Sequence, residues 1–294
     1  MKLLRAATLR VVDPVATAKR YVEWLGYRIV EEGAVGADLA RSWGAPAVEG
    51  RRYIVLQPES EAAVYLRLVA GEPVTGYEPL RTYGWAAIEI CVSDVLAVEQ
   101  RLRQSPFRII GPPREIEGLP TIYPMQVMGP DREIVYLTEI RGDLPAYDLP
   151  RAIGLIDKLF ILVLACSDLD ASMRWFGRHV RLDLGRKMEI VYTMLAQSFG
   201  TPPDDRYTIA TLTHGRDVFL ELDQYPPQAT SRPRHAGDLP PGIALATLTH
   251  PEFDALQGPW IEPPRVCRGA IYDGRRAGTM RAPDGSLIEI VAAV

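Results

Sequence analysis

Val64-Tyr65-Leu66-Arg67-Leu68 decides the fold, because the chain repeats its pattern as Ile134-Val135-Tyr136-Leu137, Phe219-Leu220-Glu221-Leu222 and Leu287-Ile288-Glu289-Ile290. In each copy apolar residues flank one changing position: Arg67, Tyr136, Glu221 and Glu289 in turn. Side chains alternate between the two faces of a strand. Leu66, Leu68, Val135, Leu137, Leu220, Leu222, Ile288 and Ile290 share one parity and are expected to pack under helices. The opposite parity carries Arg67, Tyr136, Glu221 and Glu289.

The segments upstream of each copy repeat as well, at a period of roughly 70 residues, which suits a small βαβββ unit. The first unit opens with the alternating Thr8–Val12, followed by Asp13 as helix N-cap and Pro14 at the first helical position. Val15, Ala18, Val22 and Leu25 then share a helical face, and Gly26 supplies a stop. Two further strands are expected near Tyr53–Gln57 and Val64–Leu68. The second unit opens at Ala87–Ser93 with Asp94 as cap, and the third at Phe160–Ser167 with Asp168 as cap and a helix to about Val180. The fourth opens at Ile243–Thr249; its helix must be short, because Pro251, Pro259 and Pro263-Pro264 crowd the segment. Pro130-Asp131 and Pro283-Asp284-Gly285 are turns that feed the last strands of units two and four. The segment 224–242, rich in Pro, Ser and Gly, reads as a long loop able to cover a pocket.

With 294 residues, the chain has room for two domains. Its 47% hydrophobic and 24% charged content is that of a globular protein. A net charge of −4 gives no reason to expect nucleic acid or an anionic membrane as partner. No apolar run approaches the roughly 20 residues that span a bilayer, and the N-terminus lacks a signal pattern. Cys91, Cys166 and Cys267 form no CxxC pair and read as reduced, as in a cytoplasmic protein. No adjacent His marks any of them as a nucleophile, and no Gly-rich phosphate loop or dinucleotide fingerprint is present.

The strand–Asp cap–helix openings at Asp13, Asp94 and Asp168 and the ending Pro283–Ile290 resemble the glyoxalase/bleomycin-resistance/extradiol-dioxygenase superfamily, also called the vicinal oxygen chelate superfamily. The resemblance implies an α+β fold of four βαβββ modules paired into two cupped mixed sheets. It implies an N-terminal glyoxalase-like domain over 1–145 and a C-terminal one over 155–294, each with its own cup. In metal-dependent relatives a divalent ion is held by His or Gln on first strands and Glu on last strands. Carried over, those places are Ala6, Arg67, Ala87 and Tyr136 in the first cup, and Ile161, Glu221, Ile243 and Glu289 in the second. His179, His214, His235 and His250 fall at none of them. The expectation is therefore no metal, with a weakly held divalent ion at Glu221/Glu289 as the alternative.

If Glu221 and Glu289 meet in an apolar cup, both cannot ionise, and one becomes an acid while the other stays a base. Glu289 is then the expected general base and Glu221 the acid, suited to proton abstraction beside a carbonyl. The bland alternative pairs each with an arginine such as Arg275, Arg276 or Arg281. In the first cup Arg10, Arg67, Glu89 and Tyr136 have inward parity. They read either as recognition of an acidic or phenolic ligand or as an internal ion network. Trp43, after the second strand, is placed to line a pocket mouth, with 193–200 as its counterpart in unit three. The reading is a metal-independent isomerase or lyase acting on a small oxygenated or aromatic molecule. The alternatives are a non-catalytic drug- or aromatic-binding protein and an extradiol-type ring-cleavage dioxygenase. The family often forms homodimers.

Overall fold

A computed structural model describes residues 2–293. Module one comprises β1 (Leu4–Val11), α1 (Pro14–Leu25), β2 (Tyr27–Ala34), α2 (Ala37–Ser42), β3 (Arg52–Pro58) and β4 (Tyr65–Ala70). Module two comprises β5 (Gly84–Val92), α3 (Val95–Leu102), β6 (Arg108–Gly111), β7 (Ile122–Met128) and β8 (Ile134–Ile140). Module three comprises β9 (Ile156–Cys166), α4 (Leu169–His179), β10 (Asp183–Val191), α5 (Thr193–Phe199), β11 (Arg206–His214) and β12 (Asp217–Gln224). Module four comprises β13 (Gly242–His250), β14 (Arg265–Val266), β15 (Arg276–Arg281) and β16 (Leu287–Ala292).

The helix starts follow from their caps. The Asp13 carboxylate accepts from the amides of Val15 and Ala16, Asp94 from Leu96 and Ala97, and Asp168 from Ala171. Each such cap is worth about 1 kcal/mol. Gly26 ends α1 at φ +66°, where a side chain would be strained. Module four has only a single turn, Phe253–Ala255, in place of a helix, as its prolines require.

The fold is α+β, and its two mixed sheets have eight strands each. Their composition differs from the expectation. The first sheet runs β14-β15-β16-β13-β1-β4-β3-β2 and the second β10-β11-β12-β9-β5-β8-β7-β6. Module one therefore pairs with module four, and module two with module three. The cups expected from residues 1–145 and 155–294 are not formed. The reason is the pairing of first strands: β1 lies antiparallel to β13, and β5 antiparallel to β9. Within each module the first strand runs parallel to its last.

The parity argument holds. Leu66, Leu68, Val135, Leu137, Leu220, Leu222, Ile288 and Ile290 all lie in one core cluster, together with Ala18, Tyr21 and Leu25 of α1, Val98 of α3 and Phe176 of α4. Separate clusters fill the concave faces, and in them aromatic and polar groups sit among aliphatic ones.

Candidate functional site

Strand register sets one row of four residues across the concave face of each sheet. In the first cup Thr247 pairs with Glu289 and Thr8 with Arg67, on the central strands β16-β13-β1-β4. In the second cup the same strands of the other two modules bring Val163 beside Glu221 and Glu89 beside Tyr136. Taken in strand order the rows read Glu289–Thr247–Thr8–Arg67 and Glu221–Val163–Glu89–Tyr136, staggered at the central strand pair, where Thr247 lies opposite Ala6 and Val163 opposite Ala87. Glu289 and Glu221 are thus equivalent residues of different cups and do not meet, which overturns their expected pairing as base and acid. The first-strand places are Thr8, Glu89, Val163 and Thr247, displaced along the strands from the expected Ala6, Ala87, Ile161 and Ile243.

The first cup is closed by its own side chains. Arg67 (2% exposed) and Glu289 (0%) form a buried ion pair at 3.3 Å. Glu289 also accepts from Trp43 Nε1 (2.8 Å), Tyr272 Oη (2.9 Å) and Thr247 Oγ1 (2.9 Å). Arg67 donates to Thr8 Oγ1 (2.9 Å) and Tyr272 Oη (2.5 Å), and stacks 4.3 Å from the Trp43 ring. Trp43, expected at a pocket mouth, is fully buried beneath the end of α2. A carboxylate with four donors, one of them its charged partner Arg67, has no free electron pair to serve as a base, so Glu289 is a structural residue here. Arg10 stands apart. It pairs with buried Asp238, as does Arg51. Asp238 belongs to the 224–242 segment, whose Leu239 packs beside Trp43, so this segment plugs the first cup rather than lying loosely over a pocket.

The second cup is built on the same frame with a different charge balance. Glu89 (6% exposed) accepts from Thr138 Oγ1. Glu221 is partly exposed, and Asp223, two residues along the same face of β12, is 1% exposed. Neither Asp223 oxygen has a hydrogen-bond donor as an ionised carboxylate. Tyr136 Oη and Tyr192 Oη are 2.5 Å apart, Tyr192 being carried at the head of α5. Among the described residues, none of Glu89, Glu221 and Asp223 forms an ion pair.

Two buried carboxyls and a half-buried one, without a cation beside them, are pushed toward their protonated forms. Burial, then the charge of Glu221, pushes Glu89 up to about 8. Burial raises Asp223 to about 7, with Glu89's charge adding to the rise. Burial, the charge of Asp223 and a proton shared with it hold Glu221 well above the usual carboxylate range. A proton on Glu221 is what supplies Asp223 with its missing donor. Burial also holds Tyr136, Tyr192 and Tyr225 neutral.

Asp223, Tyr192 and Tyr225 were not singled out from the sequence. Asp223 was within reach of it, since it shares the parity of Glu221 two residues away. Beside this cup lies a cleft of about 510 Å3 lined by Ile109, Ile110, Met128, Ile134, Met194 and Arg108, among others. Ile134 and Met194 each lie two residues from a member of the Tyr136–Tyr192 pair, so cleft and cup share a wall.

A metal implied by this fold does not suit either cup. In the first, the Arg67 guanidinium occupies a ligand place as the resident cation. In the second, Tyr136 and Val163 take two of the four places. Among the described residues no group of three or more His, Cys, Asp or Glu is arranged to hold a metal ion.

The whole chain resembles solved structures of one fold. Glyoxalase I from Zea mays superposes with a TM-score of 0.62 at 18% identity, over 99% of this chain and 92% of that one. A point mutant of the same maize enzyme gives 0.64 at 19% identity, with the same coverage. A candidate dioxygenase from Bacillus subtilis subsp. subtilis str. 168 gives 0.64 at 13% identity, over 99% and 86%. The fold is glyoxalase-like, the one shared by these solved structures. No protein-family model and no curated protein matches its sequence. No helix among the described residues is long and apolar enough to cross a membrane.

Proposed function

We propose that the protein is a metal-independent acid/base enzyme of the isomerase or lyase type, working in the second cup on a small oxygenated organic molecule. The observation that carries this reading is the Glu221/Asp223 pair: a half-buried and a buried carboxyl two residues apart on one strand face, with no cation. Environments that push two carboxyls apart assign an acid and a base. Asp223, the lower of the two, takes a proton from the carbon beside a carbonyl, and the electron pair moves into the enolate. Glu221 gives its proton to the enolate oxygen. Return of a proton to the neighbouring carbon completes an isomerisation, whereas loss of a leaving group completes an elimination. Tyr136 and Tyr192 are neutral donors placed to orient the oxygens.

The test needs no knowledge of the product. Small ketones and 2-oxo acids are incubated with the protein in D2O, and loss of the α-proton signal is followed by NMR. Parent protein is expected to catalyse exchange, and Asp223→Asn to lose on the order of 10²–10⁴-fold, the usual contribution of a positioned base. Exchange by Asp223→Asn at the parent rate would sink the assignment. The rival reading, a protein that sequesters a ligand without turning it over, is supported by the 510 Å3 cleft, where aliphatic Ile109, Ile110, Met128 and Met194 stand beside Arg81, Arg108 and Arg132. It calls for ligand binding with no exchange in any variant. The ring-cleavage reading finds no support in the donor set of either cup.

A further inference from the structure

The geometry points to an organic ammonium ion as the ligand class of the second cup: a protonated amine on an apolar or aromatic body, its nitrogen seated among Glu89, Glu221 and Asp223. The inference rests on the second cup being the functional site and names what that site takes. Its first support is the comparison between rows. The row of the first cup holds one buried carboxylate, Glu289, neutralised by Arg67 from the opposite end of the row, and buried Asp238 of the plugging segment is likewise paired, with Arg10 and Arg51. The second cup holds three carboxyls, and at the place of Arg67 stands the neutral Tyr136. Its second support is Asp223, whose two oxygens are buried and lack a donor in the ionised state. A buried carboxylate without a partner is costly, and an ammonium supplies both the charge and up to three N–H donors.

The surroundings favour an organic cation over a metal. Tyr136, Tyr192 and Tyr225 stand around the carboxyls, and phenol rings attract ammonium groups through their faces. Val163 is the strand neighbour of Glu221 and Ile161 that of Glu89, so aliphatic groups stand where a small metal ion would need oxygens. A Mg²⁺ or Mn²⁺ ion requires several oxygens converging at about 2.0–2.2 Å, which this donor set does not offer. Glu221 is partly exposed, so the carboxyls can be reached from solvent.

The other groups facing the trio do not satisfy it. Cys91 of β5 is held neutral by burial, with its thiol pushed up to about 12. Arg232, whose charge acts on Tyr225, is engaged by Thr82 Oγ1 and the carbonyls of Pro241 and Ile243. Arrival of an ammonium therefore displaces part of the proton load that the trio carries near neutrality. That frees a base while leaving an acid in place.

Phenethylamine, its neutral isostere 2-phenylethanol, and MnCl2 serve as probes, titrated into the full chain by calorimetry at pH 7.5 in two buffers of different ionisation enthalpy. Phenethylamine is expected to bind at least about tenfold more tightly than the alcohol, as a charge-assisted hydrogen bond requires. Its binding heat should differ between the buffers, because protons are released. Asp223→Asn and Glu221→Gln should each remove the preference. Asp223→Asn removes an uncompensated buried charge and Glu221→Gln replaces a protonated carboxyl with an isosteric amide, so their melting temperatures at pH 7.5 should not fall below the parent's, and that measurement separates loss of site from loss of fold. Equal affinity for amine and alcohol, no binding of either, or binding of Mn²⁺ that depends on Asp223 would each overturn the inference. Binding without carbon-proton exchange leaves this inference standing and removes the enzyme reading. Exchange on neutral ketones without amine binding does the reverse.

Discussion

The two cups share a frame and differ in how they balance charge. Each row has a glutamate at the same end, Glu289 in one and Glu221 in the other, on last strands of equivalent modules. In the first cup the far end of the row is Arg67, and Trp43, Tyr272 and Thr247 complete the shell of the glutamate. The charges of that row are matched within the protein, so the cup is an internal strut. In the second cup the far end is Tyr136, the middle of the row gains Glu89, and Asp223 adds a third carboxyl. A cup that satisfies itself has nothing left with which to bind. A cup that leaves charge unmatched is poised for something from outside.

This contrast can be challenged by substitution and by pH. The largest effect is expected from Arg67→Met, which strands Glu289 as an unpaired buried charge. Loss of one partner of such a pair costs about 3–5 kcal/mol, whereas replacing both with apolar groups of similar size is often neutral. Urea denaturation should show the loss in Arg67→Met and its recovery in Arg67→Met/Glu289→Met. A single-variant cost below about 1 kcal/mol, as is common for exposed pairs, would mean that the first cup is not held by its ion pair.

Next in size is the pH dependence of the ligand-free protein. Asp223 at about 7 and Glu89 at about 8 keep protons in the folded state that unfolded carboxyls have already lost. The folded state then binds more protons than the unfolded one, so stability declines as pH rises. The decline should run from the ordinary carboxyl range to about pH 8 and level off beyond. Each carboxyl contributes about 1.4 kcal/mol for each pH unit that separates its folded and unfolded titrations. Buried Glu133, also raised to about 8 by burial and by Asp131, contributes from outside the cup. Asp223→Asn should therefore flatten the slope only in part. A stability curve that rises across this window would contradict the unmatched charge of the second cup.

The smallest expected effect on stability, within about 1 kcal/mol for a substitution with new compensating contacts, belongs to Tyr136→Arg. This change gives the second row the cation of the first. Guanidinium pairing with Glu221 should shrink the pH slope, read by urea denaturation, and abolish phenethylamine binding, read by calorimetry. Retention of amine binding in a folded Tyr136→Arg protein would mean that the two rows are not interchangeable in the way their register implies.

Much of the architecture was legible from local pattern. Alternation placed Leu66 and its seven counterparts in the helix-facing core, and the Asp13, Asp94 and Asp168 caps set the helix starts. The facing of Arg67, Tyr136, Glu221 and Glu289 was legible for the same reason: it depends only on the two-residue period of a strand. Which modules join was not. That choice rests on the edges of β1 and β5, whose Leu9 and Ile90 are equally buried and apolar, so nothing local in either strand names its partner. The misassignment of Glu289 followed from it. Once modules one and four share a sheet, Arg67 is the residue that faces Glu289, and the pair neutralises itself. Trp43 was placed in the right cup with the wrong role, because burial of its indole depends on a partner 246 positions away. Asp223 was a lapse of another kind, since the strand parity that selects Glu221 selects its neighbour two residues on as well.

The crossed pairing of modules also orders events during synthesis. The second sheet is an unbroken run of chain from β5 to β12, so it can close once residue 224 has left the ribosome. The first sheet is nested outside it, and β1 must wait for β13, more than two hundred residues later, before its second edge is covered. Until then β1 presents an open strand of almost wholly buried-type residues, the kind of edge that recruits wrong partners. The cup that offers chemistry can be finished early. The cup that only holds itself together is finished last, and it is where a nascent chain is most exposed to misassembly.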